Sequence, residues 1–99
     1  MSVTVIVNFH TKPDKANALK ELLSGLQSKV IEAGGLSISL VQDQDDPQQF
    51  FEIEKWNTAN DHKKFAEAAA AAGAFKPLEE MLDKPFSVNY LDTVKHTEA

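Results

Sequence analysis

At 99 residues the chain can form one domain with a modest core, and its composition, 42% hydrophobic and 25% charged, is that of an ordinary globular protein. The net charge is −5 and all ten basic residues are Lys, so nucleic-acid recognition, which depends on basic surfaces and Arg, is not expected. Cys is absent, which excludes disulfides and thiolate ligands, and no apolar run reaches the roughly 20 residues of a membrane span or resembles a secretory signal.

A strand and a helix are predicted in the first third of the chain. Val3 to His10 alternates between an apolar face of Val and Phe and a more polar face, which predicts a β-strand. Lys12-Pro13-Asp14 ends the alternation, and Pro13 suits the first turn of a helix. Apolar residues then recur every three or four positions over residues 16–31, which predicts an amphipathic helix that Gly34-Gly35 ends.

The middle third predicts a β-hairpin. Leu36, Ile38 and Leu40 alternate with Ser, and residues 49–56 are rich in strand-forming side chains. The acidic segment 42–47 between them is dense in turn-forming residues, so the two strands are expected to pair.

The following segment predicts an interrupted helix. Thr58 and Asp61 have capping-box spacing, so a helix is expected to begin near Ala59. An alanine-rich stretch leads to Gly73, where the helix is expected to break, and a further short helix should stop before Pro85.

Residues 86–94 alternate again and predict a last strand, followed by a polar tail from about residue 95. The order is βαββαβ, which is typical of a ferredoxin-like α+β fold with a four-stranded antiparallel sheet and the helices on one face. The bare face of such a sheet would be an exposed apolar surface in a monomer. A homodimer is therefore expected.

Four segments are similar to the framework of one family, in the right order along nearly the whole chain: residues 3–15, 41–47 and 50–56, and the pair Phe75-Lys76. The family that they resemble is the antibiotic biosynthesis monooxygenases, which are dimeric α+β barrels. The resemblance implies a single domain over residues 1–99, a homodimer, and a pocket between sheet and helices. For chemistry it implies a cofactor-free oxygenase of phenols or hydroquinones, a quinol monooxygenase, a haem-degrading enzyme or an isomerase.

The chain departs from the family pattern in the second helix. A His-Leu-x-x-Pro-His-like segment is common there, whereas this chain has Phe65-Ala66-Glu67 and an alanine run. The helix Trp and late-helix His of the haem-degrading branch fall near Phe65 and Glu79, and the Arg of some polyketide oxygenases has no counterpart. Haem is therefore not expected. Since the His residues also lack the spacing of metal ligands, neither a metal nor any other cofactor is predicted.

Three polar residues are candidate catalytic groups. His62, three positions before Phe65 on the second helix, is the first choice for a general base because imidazole titrates near neutral pH. The alternative is a surface histidine beside Lys63. His10 is the second choice, and Asn8, on the same strand face, would hold a phenolate oxygen by hydrogen bonding; the alternative is a solvent-exposed strand end for both.

Trp56, Phe65 and Phe75 are predicted to bind the substrate ring and exclude water, although Trp56 could equally close the core under the second helix. The run of alanines at 68–72 with Gly73 either leaves room for a ligand below a hinged lid or is a close-packed helix.

These observations lead to the hypothesis of a cytoplasmic homodimer that oxidises a small phenolic, hydroquinone or polyketide-like aromatic with O₂ and without a cofactor. Two alternatives remain open: an isomerase of a small carbonyl compound, and a non-catalytic dimer that binds a small apolar ligand. Neither nucleic acid nor a membrane is an expected partner.

Overall fold

The computed structural model describes residues 2–99 and contains four strands and three helices. In chain order they are β1 (Val3–His10), α1 (Ala16–Glu32), β2 (Ser37–Gln42), β3 (Gln49–Trp56), α2 (Ala59–Ala71), α3 (Lys76–Met81) and β4 (Ser87–Leu91). The strands pair antiparallel in one sheet with the order β2-β3-β1-β4. The predicted ferredoxin-like α+β fold is confirmed. Across residues 2–99, each helix is too short or too polar to cross a lipid bilayer.

The sheet has one face covered by the helices, which we call the covered face, and one open face. Burial alternates along β1 because successive side chains point to opposite faces. Val5 is fully buried on the covered face, and its neighbours in the register are Glu54 on β3 and Tyr90 on β4. The buried apolar residues of this layer and of the helices packed on it are Val3, Val5, Val7, Phe9, Leu19, Leu23, Val30, Phe50, Trp56, Leu78 and Leu82.

The open face carries both apolar and polar side chains. Ile6 of β1 is paired in register with Ile53 of β3, and Ile53, Val41 and Leu91 are 37%, 40% and 43% exposed. These residues make the partly apolar surface that the sequence predicts for a bare sheet face.

The interrupted second helix is confirmed in detail. Thr58 is the N-cap of α2, and its Oγ1 accepts a 3.1 Å hydrogen bond from the backbone N–H of Asp61. Helix α2 ends at Ala71, and Gly73 has φ +77°, a left-handed conformation that glycine adopts without steric strain. The chain then re-enters a helix at α3.

The boundaries of α1, β2 and β4 differ from those predicted, and β4 begins at Ser87 rather than at Phe86. Pro13 precedes α1 rather than lying in its first turn, because residues 12–15 form a separate turn in which the N–H of Lys15 donates to the carbonyl of Lys12. Leu36 lies outside β2 and is 53% exposed. Strand β4 ends at Leu91, where its pairing with β1 reaches Thr4, and Val94 lies beyond it, 99% exposed.

Candidate functional site

A small cavity lies between the covered face and the helices, with side chains from β1, β3, β4 and all three helices in its wall. Its volume is about 80 Å³. The wall is apolar apart from Glu52, Glu54 and His62, and Phe65 and Phe75 supply aromatic surface. Within residues 2–99, no Lys lines this cavity, and the sequence contains no Arg.

Strand β3 brings two carboxyl groups into this wall. Because alternate residues of a strand share a face, Phe50 and Trp56 at its ends place Glu52 and Glu54 on the covered face as well. Glu52 is 8% exposed and Glu54 is 2% exposed. Isolated buried carboxylates are strongly unfavourable, so both groups need hydrogen-bond partners or a proton.

Glu54 Oε1 accepts a 2.8 Å hydrogen bond from Nε1 of Trp56, and Glu52 lies two residues away on the same face of β3. Burial raises the pKa of Glu52 to about 8, and the charge and hydrogen bond of Glu54 add to this effect. Burial also raises the pKa of Glu54, but the hydrogen bonds from Trp56 and Glu52 oppose the rise. At neutral pH Glu52 therefore holds a proton, and because Trp56 donates to Glu54, Glu54 is the member of the pair that ionises first.

His62 of α2 faces the same carboxyl pair. Its Nδ1 is 2.8 Å from the hydroxyl of Tyr90 on β4, and its Nε2 is 3.9 Å from Oε1 of Glu54, which is beyond hydrogen-bonding distance. The side chain is buried, and this burial lowers the pKa of His62, so the imidazole is neutral at neutral pH. Burial and the nearby charge of Glu54 raise the pKa of Tyr90, whose hydroxyl stays protonated.

Aromatic contacts hold the imidazole in this position. The ring of Trp56 meets that of His62 edge to face, with centroids 5.4 Å apart, and packs against Phe65 at 5.6 Å. The ring of Tyr90 lies 5.5 Å from that of His62. These ring contacts fix the orientation of the imidazole in the absence of a ligand.

The structure brings three of the six predicted site residues into the cavity wall: His62, Phe65 and Phe75. Trp56 is fully buried and is not part of the wall. It closes the core under α2, which is the second of the two interpretations that the sequence allows, and its indole N–H holds Glu54.

Asn8 and His10 lie on the open face, because their neighbours Val7 and Phe9 point to the cavity. Asn8 accepts a 2.6 Å hydrogen bond from Gln49, and His10 is held between Asp46 and Asp83. The structure therefore places both residues outside the cavity that contains His62. Neither side chain is in a position to contact a ligand in that cavity.

Glu52, Glu54 and Tyr90 are site residues that the sequence interpretation missed. The signal was the alternation of β3, because a strand whose even positions begin with Phe50 and end with Trp56 must bury the two glutamates between them. Among residues 2–99, no group of three or more His, Asp or Glu side chains is arranged to hold a metal ion.

Comparison with known proteins shows which family this chain belongs to. The model of the family described as "Antibiotic biosynthesis monooxygenase" matches residues 2–77, which include every polar residue of the cavity wall. The chain belongs to the antibiotic biosynthesis monooxygenase family. The resemblance predicted from short sequence segments is thereby confirmed.

Solved structures of this family have the same fold. A candidate antibiotic biosynthesis monooxygenase from Nitrosomonas europaea is 22% identical, with 98% of this chain and 94% of that one covered and a TM-score of 0.83. One from Bordetella bronchiseptica is 18% identical, with 95% and 98% covered and a TM-score of 0.85. One from Deinococcus radiodurans is 14% identical, with 98% and 97% covered and a TM-score of 0.82. A comparison with curated proteins gives no match.

Proposed function

We propose that this family member is a cofactor-independent monooxygenase that oxidises a small, uncharged phenol- or hydroquinone-type aromatic with O₂. The observation that carries the proposal is a neutral, buried His62 in the wall of an apolar cavity, with Nε2 3.9 Å from Oε1 of Glu54 and Nδ1 2.8 Å from the hydroxyl of Tyr90. Family membership supports the reaction class. The two buried carboxyl groups on β3 and the absence of Lys from the cavity wall within residues 2–99 disfavour anionic substrates.

The role of His62 is to make the substrate a better electron donor. Ground-state O₂ reacts slowly with closed-shell organic molecules, and a phenolate gives up an electron more readily than the phenol. Nε2 of His62 accepts the hydroxyl proton, while the contact with Tyr90 fixes the ring. The charge of Glu54, 3.9 Å from Nε2, stabilises the imidazolium that forms.

For a phenol with a hydrogen at the para carbon, the products are a quinone and one water molecule. One oxygen atom forms the new ring carbonyl. The other leaves as water with two protons, one from the hydroxyl group and one from the ring carbon. The site must therefore remove a proton early and supply one later.

A substrate ring requires the cavity to expand. Its volume of about 80 Å³ is smaller than the engineered cavity of roughly 150 Å³ that holds benzene in another protein. The wall includes Ala74 and Phe75, which lie in the short connection between α2 and α3, next to Gly73. We therefore assign entry to a displacement of this connection, which would close again over the substrate and exclude water.

The test is oxygen uptake by metal-stripped, flavin-free protein with a panel of phenols and hydroquinones. We expect saturable uptake above that of heat-denatured protein, and a fall in kcat of about 10²-fold or more in His62→Ala. His96→Ala, in the exposed tail, is the matched control and should behave as wild type. Absence of uptake across the panel would contradict the proposal.

One observation favours isomerisation of a carbonyl compound as a second candidate. A protonated Glu52 and a neutral His62 supply an acid and a base in one cavity, and proton transfer needs no O₂. Turnover that continues under anaerobic conditions would support the isomerase and contradict the oxygenase.

A further inference from the structure

In the proposed reaction His62 removes the hydroxyl proton of the substrate, and the buried carboxyl group of Glu52 takes no part in that step. Glu52 lines the cavity beside Glu54, and every described residue that shares the wall with them is apolar except His62. Two neighbouring buried carboxyl groups without a basic partner cannot both ionise at neutral pH, because each charge disfavours the other. A site of this kind retains a proton where a reacting molecule can reach it.

The groups that face the pair are few. From α2 comes His62, and from β4 comes Tyr90, whose hydroxyl contacts His62. The residues that β1, α1 and α3 contribute to the wall are apolar: Val7, Phe9, Leu23, Leu26, Val30 and Leu78. Trp56 binds Glu54 rather than Glu52, so the charge is held on Glu54 and the proton on Glu52.

We propose that Glu52 and Glu54 share one proton in the resting site, and that Glu52 donates it to the substrate-bound oxygen that leaves as water. This inference rests on the proposed oxygenase function. It adds a catalytic acid to that reaction and assigns Glu54 as the residue that holds the charge of the pair.

The substrate, O₂, His62 and Glu52 together supply and accept every proton and electron of the reaction. His62 takes the hydroxyl proton, and the resulting anion passes its electrons to O₂ to form a carbon–oxygen bond and a peroxide anion. The O–H bond of Glu52 breaks as the distal peroxide oxygen takes its proton. The carboxylate of Glu52 then removes the ring proton, and the electrons of that C–H bond form the carbonyl as the O–O bond breaks. The departing hydroxide takes the proton of His62, so both groups return to their initial states.

Loss of the acid should change the products as well as the rate. Without a proton on its distal oxygen, the peroxide anion breaks its new carbon–oxygen bond homolytically and releases superoxide and a phenoxyl radical. Two superoxide ions and two protons then give hydrogen peroxide and O₂, and the phenoxyl radicals couple with each other. Glu52→Gln is the informative variant because it keeps the shape of the side chain and a hydrogen-bond donor for Glu54 but cannot transfer a proton.

The activity test compares wild type, Glu52→Gln and Glu67→Gln, the last being the same change at an exposed position on α2. For Glu52→Gln we expect kcat to fall about 10²-fold or more, KM to change little, and hydrogen peroxide to replace quinone as a product of oxygen uptake. Wild-type rate and quinone yield in Glu52→Gln would overturn the acid role.

A second measurement is independent of activity. Infrared spectra at pH 7 should show the C=O stretch of an un-ionised carboxyl in wild type and in Glu67→Gln, but not in Glu52→Gln. Oxygen uptake without this band would overturn the shared proton and leave the oxygenase function intact. The band without oxygen uptake would overturn the oxygenase function, and the donor role with it, while the shared proton stands.

Discussion

The indole Nε1 of Trp56 donates a 2.8 Å hydrogen bond to Oε1 of Glu54, two residues earlier on the same face of β3. Both side chains are buried, at 0% and 2% exposed. A hydrogen bond to a buried charge contributes more than one between neutral groups, and leaving that charge without its donor is strongly destabilising. One aromatic side chain thus completes the core and supplies the hydrogen-bond donor for the carboxyl group beside His62.

Trp56→Phe should therefore cost about 3 kcal/mol of unfolding free energy at pH 7, since it removes both the donor and part of a buried ring. Urea denaturation measures the change. In a Glu54→Leu background the same substitution should cost clearly less, because no buried charge is left without its donor. Equal costs in the two backgrounds would show that packing alone explains the effect of Trp56.

The carboxyl pair should make the protein less stable as pH rises. Burial raises the pKa of Glu52 from its ordinary 4.5 to about 8 in the folded state, so between these values the folded chain holds a proton that the unfolded chain has lost. In this window the slope from Glu52 is at most about −1.4 kcal/mol per pH unit, and it levels off above pH 8.

Urea denaturation of wild type and Glu52→Gln from about pH 5 to about pH 9 measures this contribution, because that range covers most of the window in which only the folded chain holds the proton. The difference in stability between the two proteins should shift in favour of Glu52→Gln as pH rises. Subtracting the variant removes the contribution of His62, whose lowered pKa acts in the opposite direction below its ordinary 6.5. A difference that stays constant with pH would contradict the buried proton.

Tyr90→Phe should reduce kcat about tenfold with little change in KM, because the ring remains while the hydroxyl that orients Nδ1 of His62 is lost. Steady-state oxygen uptake measures both constants. Tyr90→Phe combined with His62→Ala should be no slower than His62→Ala alone, since the hydroxyl acts through the imidazole. A further loss in the double variant would mean that Tyr90 contacts the substrate directly.

The fold could be predicted because its signals are local. The alternation of β1 and the Thr58 cap of α2 depend only on neighbouring residues, and the structure confirms both. The boundaries at Leu36 and Val94 could not, because a strand ends where its partner strand stops pairing, which is a property of the assembled sheet.

The candidate site likewise contains residues that local sequence patterns predict and residues whose neighbours are set only by the assembled sheet. His62 and Phe65 could be placed together from helical spacing. Glu52 and Glu54 could have been placed on the covered face from the alternation of β3, but which residues of β1 they lie beside, Val7 and Val5, depends on the register of the assembled sheet. The positions of Asn8 and His10 could have been predicted from the sequence. A pocket under the helices must lie on the face of β1 that carries the Val side chains, and Asn8 and His10 are on the opposite face.

His10 links three segments on the open side of the sheet. Its Nδ1 lies 2.8 Å from Asp83 before β4, and its Nε2 lies 3.0 Å from Asp46 in the β2–β3 turn. Hydrogen bonds to Asp46 and Asp83 raise the pKa of His10, so its contribution to stability is complete below pH 6.5 and is lost as pH rises through the raised value. Hydrogen bonds from Gln48 and His10 lower the pKa of Asp46, so its contribution is present above its ordinary 3.8 and is lost in acid.

His10→Gln should therefore reduce the urea midpoint more at pH 6 than at pH 9, and it should leave oxygen uptake unchanged because His10 lies outside the cavity. His96→Gln is the control, since its partner Glu98 lies in the exposed tail. An equal loss at both pH values would show that the ion pairs with Asp46 and Asp83 are not its cause.

The open face is the surface on which we expect a second copy to pack. Ile53 lies near its centre, on β3 between β1 and β2, and is 37% exposed in the single chain. Ile53→Lys would place a charge in that interface, so we expect a dimer to become a monomer in sedimentation experiments. Leu36→Lys, an equivalent change at a more exposed position outside the sheet, should remain dimeric. A wild-type protein that sediments as a monomer would contradict the role of this face, because its apolar residues would then be stable in water without a partner.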